Sequence, residues 1–287
     1  MDEAPEAVEV QAGLVRVPLR LWTKSLEWIV ADPMLKTKIY LHGFNTAYFS
    51  YLLDVHSKKL EAEATKFHAA TALRQLYLQL LETTMAFFGA FMQAPNAVPM
   101  WMQKYTNSNL EAVIQCLVDG DTLPGRVAPV DFEQLAFQFS SNFQIHRNSE
   151  EQRDLRELQE AIRTNLPRIL RHLMRDFLDQ DLNNEYNSIK HGLRISSGSN
   201  SLSLRAVGSE ESFTLENAFC SEFPVLIEVS KADKQFSLGH VSVGFDPMNT
   251  VYKVASCIQL LDFLWFQVSL GTHGELASNV RFPVVLP

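Results

Sequence analysis

Little in this sequence points to covalent or metal cross-linking. Cysteine is scarce: Cys116, Cys220 and Cys257 are far apart, and no Cys-x-x-Cys pair occurs. That excludes a disulfide framework and a zinc knuckle, and a reducing, cytoplasmic compartment is expected. Long hydrophobic runs are also missing. MAFFGAFM (85–92) and IQLLDFLWFQV (258–268) fall short of the roughly 20 residues a membrane span needs, and Asp262 interrupts the second. No membrane partner is expected. The acidic start MDEAPEAVEV has neither the basic nor the apolar segment of a secretory signal.

Positive charge is in deficit. The net charge of −8 argues against indiscriminate attraction to nucleic acid or anionic lipid, while leaving room for a local basic site. Walker A, GxGxxG, GxSxG and HExxH motifs are all absent. Asp54-x-His56 stands without a third ligand, so neither a metal nor a cofactor is expected. What is present, 46% hydrophobic and 20% charged residues, is the composition of a globular chain with ample core.

Helical periodicity dominates the first two thirds. Leu21, Trp22, Leu26 and Ile29 predict a helix after Pro18, stopped at Asp32-Pro33; Tyr40, Phe44, Tyr48, Tyr51, Leu52 and Val55 predict another over 37–57. The strongest pattern covers 60–92, where Leu73, Leu76, Tyr77, Leu80, Leu81, Thr84, Phe87, Phe88 and Phe91 form a wide apolar face. Shorter helices are expected at 108–118 and 131–146. A Ser149-x-x-Gln152 capping box then opens a long pattern from Leu155 to Ile189, with Pro167 expected to kink or divide it. Gly192 sits where a helix-terminating glycine belongs.

SSGSNS (196–201) reads as a linker, LSLRAV, PVLIEVS and QFSLGHVSV as strands, and 247–270 as a final helix. The expected organisation is a loose tail over 1–13, a helical bundle over 14–195, and a small α+β, β-rich portion over 196–287 packed on the bundle.

Three constellations could carry chemistry. NEYNSIKHGLR (184–194) crowds Asn184, Asn187, Lys190, His191 and Arg194 at a helix end. Such a cluster suits a phosphate or a base edge, with His191 as acid/base. Equally, Lys, His and Arg are favoured in a last helical turn, where they meet free carbonyls. A polar line of His68, Gln75, Gln79 and Glu82 crosses the apolar helix. Glu82 would need a cationic partner if buried, and the 184–194 end could supply one; a solvated stripe is the alternative. Finally, Arg168, Arg171 and Arg175 share one helix face at i, i+3 and i+7, near Arg163, with no acidic residue between 161 and 175. They suit phosphate contacts, or a solvated face paired with neighbours.

YNSIKHGLR at a helix end, with YLQLLETTMAFFGAFMQAP on an earlier long helix, resembles bacterial proteins of the HEPN-like superfamily. The resemblance covers the helical part, chiefly 73–95 and 184–194. It implies a mainly α fold, a HEPN-like helical bundle with the C-terminal appendage, and a homodimer paired through helices. It also implies RNA as partner, with binding or metal-independent ribonuclease cleavage in bacterial defence or stress. The family's nuclease hallmark, Arg followed by four to six residues and His, is absent before every histidine. Only His191 carries over on that resemblance, as the acid/base; from the residues themselves, Lys190 and Arg194 would be charge stabilisers, Asn187 a positioning group, and Glu82 a carboxylate orienting His191 or Lys190. Asn184, Arg168, Arg171 and Arg175 would then contact the RNA. A non-catalytic interaction protein, or one binding a nucleotide or small anion, is the alternative.

Overall fold

The computed structural model describes residues 14–21, 24–31, 33–123, 128–142, 149–190, 196–205, 212–230 and 235–273. The fold is mainly helical, with two small antiparallel sheets. The first is a hairpin of β1 (Leu14–Leu21) and β2 (Lys24–Ala31), paired from Leu14↔Ala31 to Leu21↔Lys24. The helix predicted across this stretch is therefore corrected. Val15, Val17, Leu19 and Leu21 alternate with Arg16, Pro18 and Arg20, a period of two that outweighs the looser helical spacing. Trp22 lies outside the described residues.

Pro33 opens a helix rather than only closing one, its fixed φ and missing N–H suiting a first turn. The element predicted over 37–57 is two helices, α1 (Pro33–Gly43) and α2 (Ala47–Lys59). Next comes α3 (Lys66–Gln93), the longest run of buried residues in the fold. Leu73, Tyr77, Leu80, Met85, Phe87 and Phe88 are almost fully enclosed, because α3 is apolar nearly all round and takes neighbours on every side. A 3-10 turn (Pro95–Ala97) leads to α4 (Val98–Lys104), then α5 (Asn107–Asp119). At Gly89 the approach to α3 is so close that an added Cβ would meet Tyr105 Oη and Val113 Cγ1 at 3.2 Å each.

Beyond α6 (Phe132–Ser141), α7 (Ser149–Leu178) starts at the predicted capping serine. It runs through Pro167 without the expected division. Leu166, Leu170, Leu173 and Met174 are buried on both sides of the proline, and that packing outweighs one lost hydrogen bond. The division comes at Asp179 instead. Its carboxylate accepts the backbone N–H of Asp181 at 2.9 Å and of Leu182 at 3.0 Å, capping α8 (Gln180–Lys190).

A three-stranded sheet follows in the order β3 (Ser196–Arg205), β4 (Ser212–Ser230), β5 (Gln235–Gly244). Ser196–Ser201, predicted as linker, is strand: it pairs with Phe219–Glu222 and beyond, with a register shift between Asn200 and Leu202. Pairing to a long neighbour decides strand formation where residue propensity does not. The sheet meets α3 and α8, with Phe67 and Phe219 rings 5.0 Å apart. The last helix, α9 (Pro247–His273), returns to the bundle and packs most extensively on α3, so Val254, Cys257, Leu261 and Leu264 join the same core as Phe87 and Leu173. No helix among the described residues is long and apolar enough to cross a membrane.

Candidate functional site

Two polar regions adjoin the core, and each contains residues the sequence singled out. The first is the seam between α3 and α8. Glu82 Oε1 accepts Lys190 Nζ at 2.6 Å, and Glu82 Oε2 accepts the Tyr186 hydroxyl at 2.6 Å. The Lys190 ammonium also lies 4.2 Å from the centre of the Tyr186 ring. One turn structure explains this: Tyr186 and Lys190 are four residues apart on α8, so both reach the same carboxylate. Burial, and then Glu82 beside it, raises the Tyr186 phenol well above its ordinary range.

Deeper in the same seam, Arg74 and Glu185 form an ion pair with side chains 6% and 0% exposed, and Phe245 lies under the guanidinium at 5.1 Å. The sequence reading missed this pair, although an arginine amid Leu73, Leu76 and Tyr77 signals a buried charge in need of a partner. Asn184 accepts a hydrogen bond from Gln180 at 3.1 Å, and Asn187 is half-buried on α8. His191 and Arg194, like Gly192, lie outside the described residues. The seam thus brings together Glu82 and Lys190, but spends the lysine's charge on the glutamate.

The second region is a groove of about 530 Å³ between α7 and α9. Arg168, Arg171, His172 and Arg175 line one wall, Tyr252 and Lys253 the other. Helix periodicity builds both walls. On α7 the basic residues follow the i, i+3, i+4, i+7 spacing, and on α9 Asn249, Tyr252, Lys253 and Ser256 repeat it. Ile169 and the buried Leu173 make the floor apolar. Arg163 does not join them: its guanidinium sits 4.8 Å over Phe137, and Nε donates to Ser140 Oγ at 2.9 Å on α6.

The four cations differ in their partners. Arg171 is held by Glu133 at 2.6 Å, and Lys253 by Asp176 at 2.6 Å. Arg168 donates to Asn165 at 3.3 Å. Arg175 is exposed and meets no carboxylate among the described residues. Asp176 is the organising acceptor beneath the groove. It takes the Tyr77 hydroxyl as well as Lys253, and the His172 ring stands 3.9 Å away. Burial, with Asp176 second, pushes the Tyr77 phenol far up.

Sequence reasoning found the arginine wall but not the α9 wall. Tyr252 and Lys253 were legible only as a polar interruption in an apolar helix, and only the packing of α9 beside α7 gives that interruption a role. Nothing else among the described residues offers stronger chemistry. No cluster of three or more metal-binding side chains occurs there. The buried Cys257 thiol is pushed up to about 12, mainly by burial, so it furnishes no thiolate near neutral pH. No family model, curated protein or solved structure matches the chain.

Proposed function

We propose that this chain binds RNA through its phosphate backbone in the α7–α9 groove. The observation that carries the reading is the convergence of Arg168, Arg171 and Arg175 on one recess in a chain of net charge −8. Against an acidic background, such a recess concentrates positive potential at one place, and guanidinium groups match phosphate oxygens in pairs. The resemblance of the helical part to HEPN-like proteins supports RNA as the polyanion, and a helix-paired homodimer goes with it.

The described residues support binding better than cleavage. A cleaving centre at the end of α8 would need a free cation beside His191 to meet developing negative charge. Lys190, the described candidate, is already ion-paired with Glu82.

Fluorescence anisotropy with labelled RNA tests the reading. Arg168→Ala combined with Arg175→Ala should weaken binding by an order of magnitude or more, and flatten the dependence of log K on log salt. Unchanged binding in that double variant would refute the groove as the site. Incubation with RNA under EDTA, beside His191→Ala, tests cleavage: metal-free products lost in the variant would restore a nuclease reading.

A further inference from the structure

The groove is more than a basic patch. Its α9 wall presents an aromatic ring, Tyr252, half exposed at 50%. Directly opposite, the α7 wall presents guanidinium groups. The structure assigns this groove to unpaired nucleotides of a single strand, with bases stacked on Tyr252 and phosphates held by Arg168, Arg171 and Arg175; this rests on the phosphate-binding reading above.

Two arguments favour an unpaired strand over a duplex. A base inside a duplex has both faces stacked on its neighbours, so it has no face left for a protein ring. Only a splayed or single-stranded base can cover Tyr252. The second argument is shape. Proteins that read duplexes project a helix or ribbon into a groove of the nucleic acid, whereas here the cations line a recess between two helices. Its volume of about 530 Å³ suits a small ligand or a short stretch of strand rather than the body of a double helix.

The division of labour follows from the chemistry of each wall. The α7 side contributes charge, of which that of Arg175 meets no carboxylate among the described residues, and would grip any phosphate. The α9 side contributes the ring face of Tyr252, which recognises a flat base whatever its edge pattern. Ile169 and Leu173 make the floor between them apolar. Such a site is tolerant of sequence and selective for strandedness.

The test uses the full chain with four probes: a short labelled oligoadenylate, a duplex of the same length, inorganic polyphosphate and adenosine monophosphate. The oligoadenylate should bind more tightly than the duplex. Tyr252→Ala should lower oligoadenylate affinity by about five- to 150-fold, leave polyphosphate affinity unchanged, and be rescued by Tyr252→Phe. Because Tyr252 is half exposed, loss of folding does not confound the variant, and the unchanged polyphosphate arm checks this. Equal affinity for duplex and single strand, or an equal effect of Tyr252→Ala on both polyanions, would overturn the assignment while leaving phosphate binding intact. Adenosine monophosphate competing as well as the oligoadenylate would overturn the strand in favour of a free nucleotide. No binding of any probe would sink the phosphate-binding reading itself.

Discussion

Arg74 grips Glu185 from the side: Nε lies 3.1 and 3.2 Å from the two carboxylate oxygens, and Nη2 lies 2.8 Å from Oε2. The pair fastens α8 to α3 inside the protein, where neither charge reaches water. Removing one partner leaves the other buried and uncompensated, which costs far more than the pair contributes. Arg74→Met should therefore destabilise the fold by about 3–5 kcal/mol in urea unfolding. Adding Glu185→Leu should recover most of that loss. A double variant as unstable as the single one would mean that the pair defines local packing rather than only neutralising charge.

Five residues of α8 further on, at Lys190, the same seam closes on Glu82, but in a wetter setting. The side chains of Lys190 and Glu82 are 33% and 31% exposed. Partial hydration weakens their attraction, so Lys190→Met should cost no more than about 1 kcal/mol. The Tyr186 hydroxyl makes a charge-assisted bond to the same carboxylate, and Tyr186→Phe should cost about 1.5–3 kcal/mol. Thermal unfolding of both variants orders them. If Lys190→Met proved the more damaging, the ammonium would carry the seam and the phenol would be incidental.

These seams show what the sequence could and could not disclose. α3, α5, α6 and α7 were legible because their apolar spacing repeats over several turns, whereas α4, seven residues long, was not. Glu82 was legible as a partner-seeking carboxylate because Leu80, Leu81, Met85 and Phe87 surround it. The hairpin at Leu14–Ala31 was misread because short apolar runs satisfy both periods, and pairing between strands settles the matter. Asp179 was a better breaker than Pro167 for a related reason. A proline's cost is local, while the buried residues on either side of it gain from a continuous helix. The groove was half legible: the arginine spacing marks one wall, but no pattern along the chain tells which helix faces it. That the facing wall comes from α9, some 80 residues later, is a property of the packed core.

Asp262 on α9 accepts the Thr46 hydroxyl at 2.5 Å and is half-buried among apolar neighbours. Burial raises its pKa above the ordinary carboxylate value of 3.8, while the Thr46 bond pulls the other way with less effect. The folded state therefore holds this proton more tightly than the unfolded state. By linkage, the associated stability is fully present below the unfolded pKa and is lost as pH rises through the raised folded pKa. At neutral pH the ionised carboxylate is a net cost. Asp262→Asn keeps an acceptor for Thr46 and removes that cost, so it should raise Tm at pH 7. The difference from wild type should shrink as pH falls to the carboxylate range. A variant less stable at pH 7 than at pH 4, relative to wild type, would show that Thr46 needs the charge.

Beneath the groove, Asp176 sets how much of the Lys253 charge a ligand feels. Lys253 Nζ lies 2.6 Å from Asp176 Oδ2, and both side chains are more than four-fifths buried, at 17% and 15% exposure. In that setting the carboxylate neutralises the ammonium with little screening from water. Asp176→Asn keeps an oxygen for the Tyr77 hydroxyl but releases the charge of Lys253 to the groove. Single-stranded RNA should then bind several-fold more tightly. The plot of log K against log salt should steepen by about 0.7, the increment expected when one more phosphate is neutralised on a single strand. Stability should fall in the same variant, because a partly buried ammonium has lost its partner. Weaker binding with an unchanged slope would assign Asp176 the opposite role, holding Lys253 in place for the phosphate rather than competing for it.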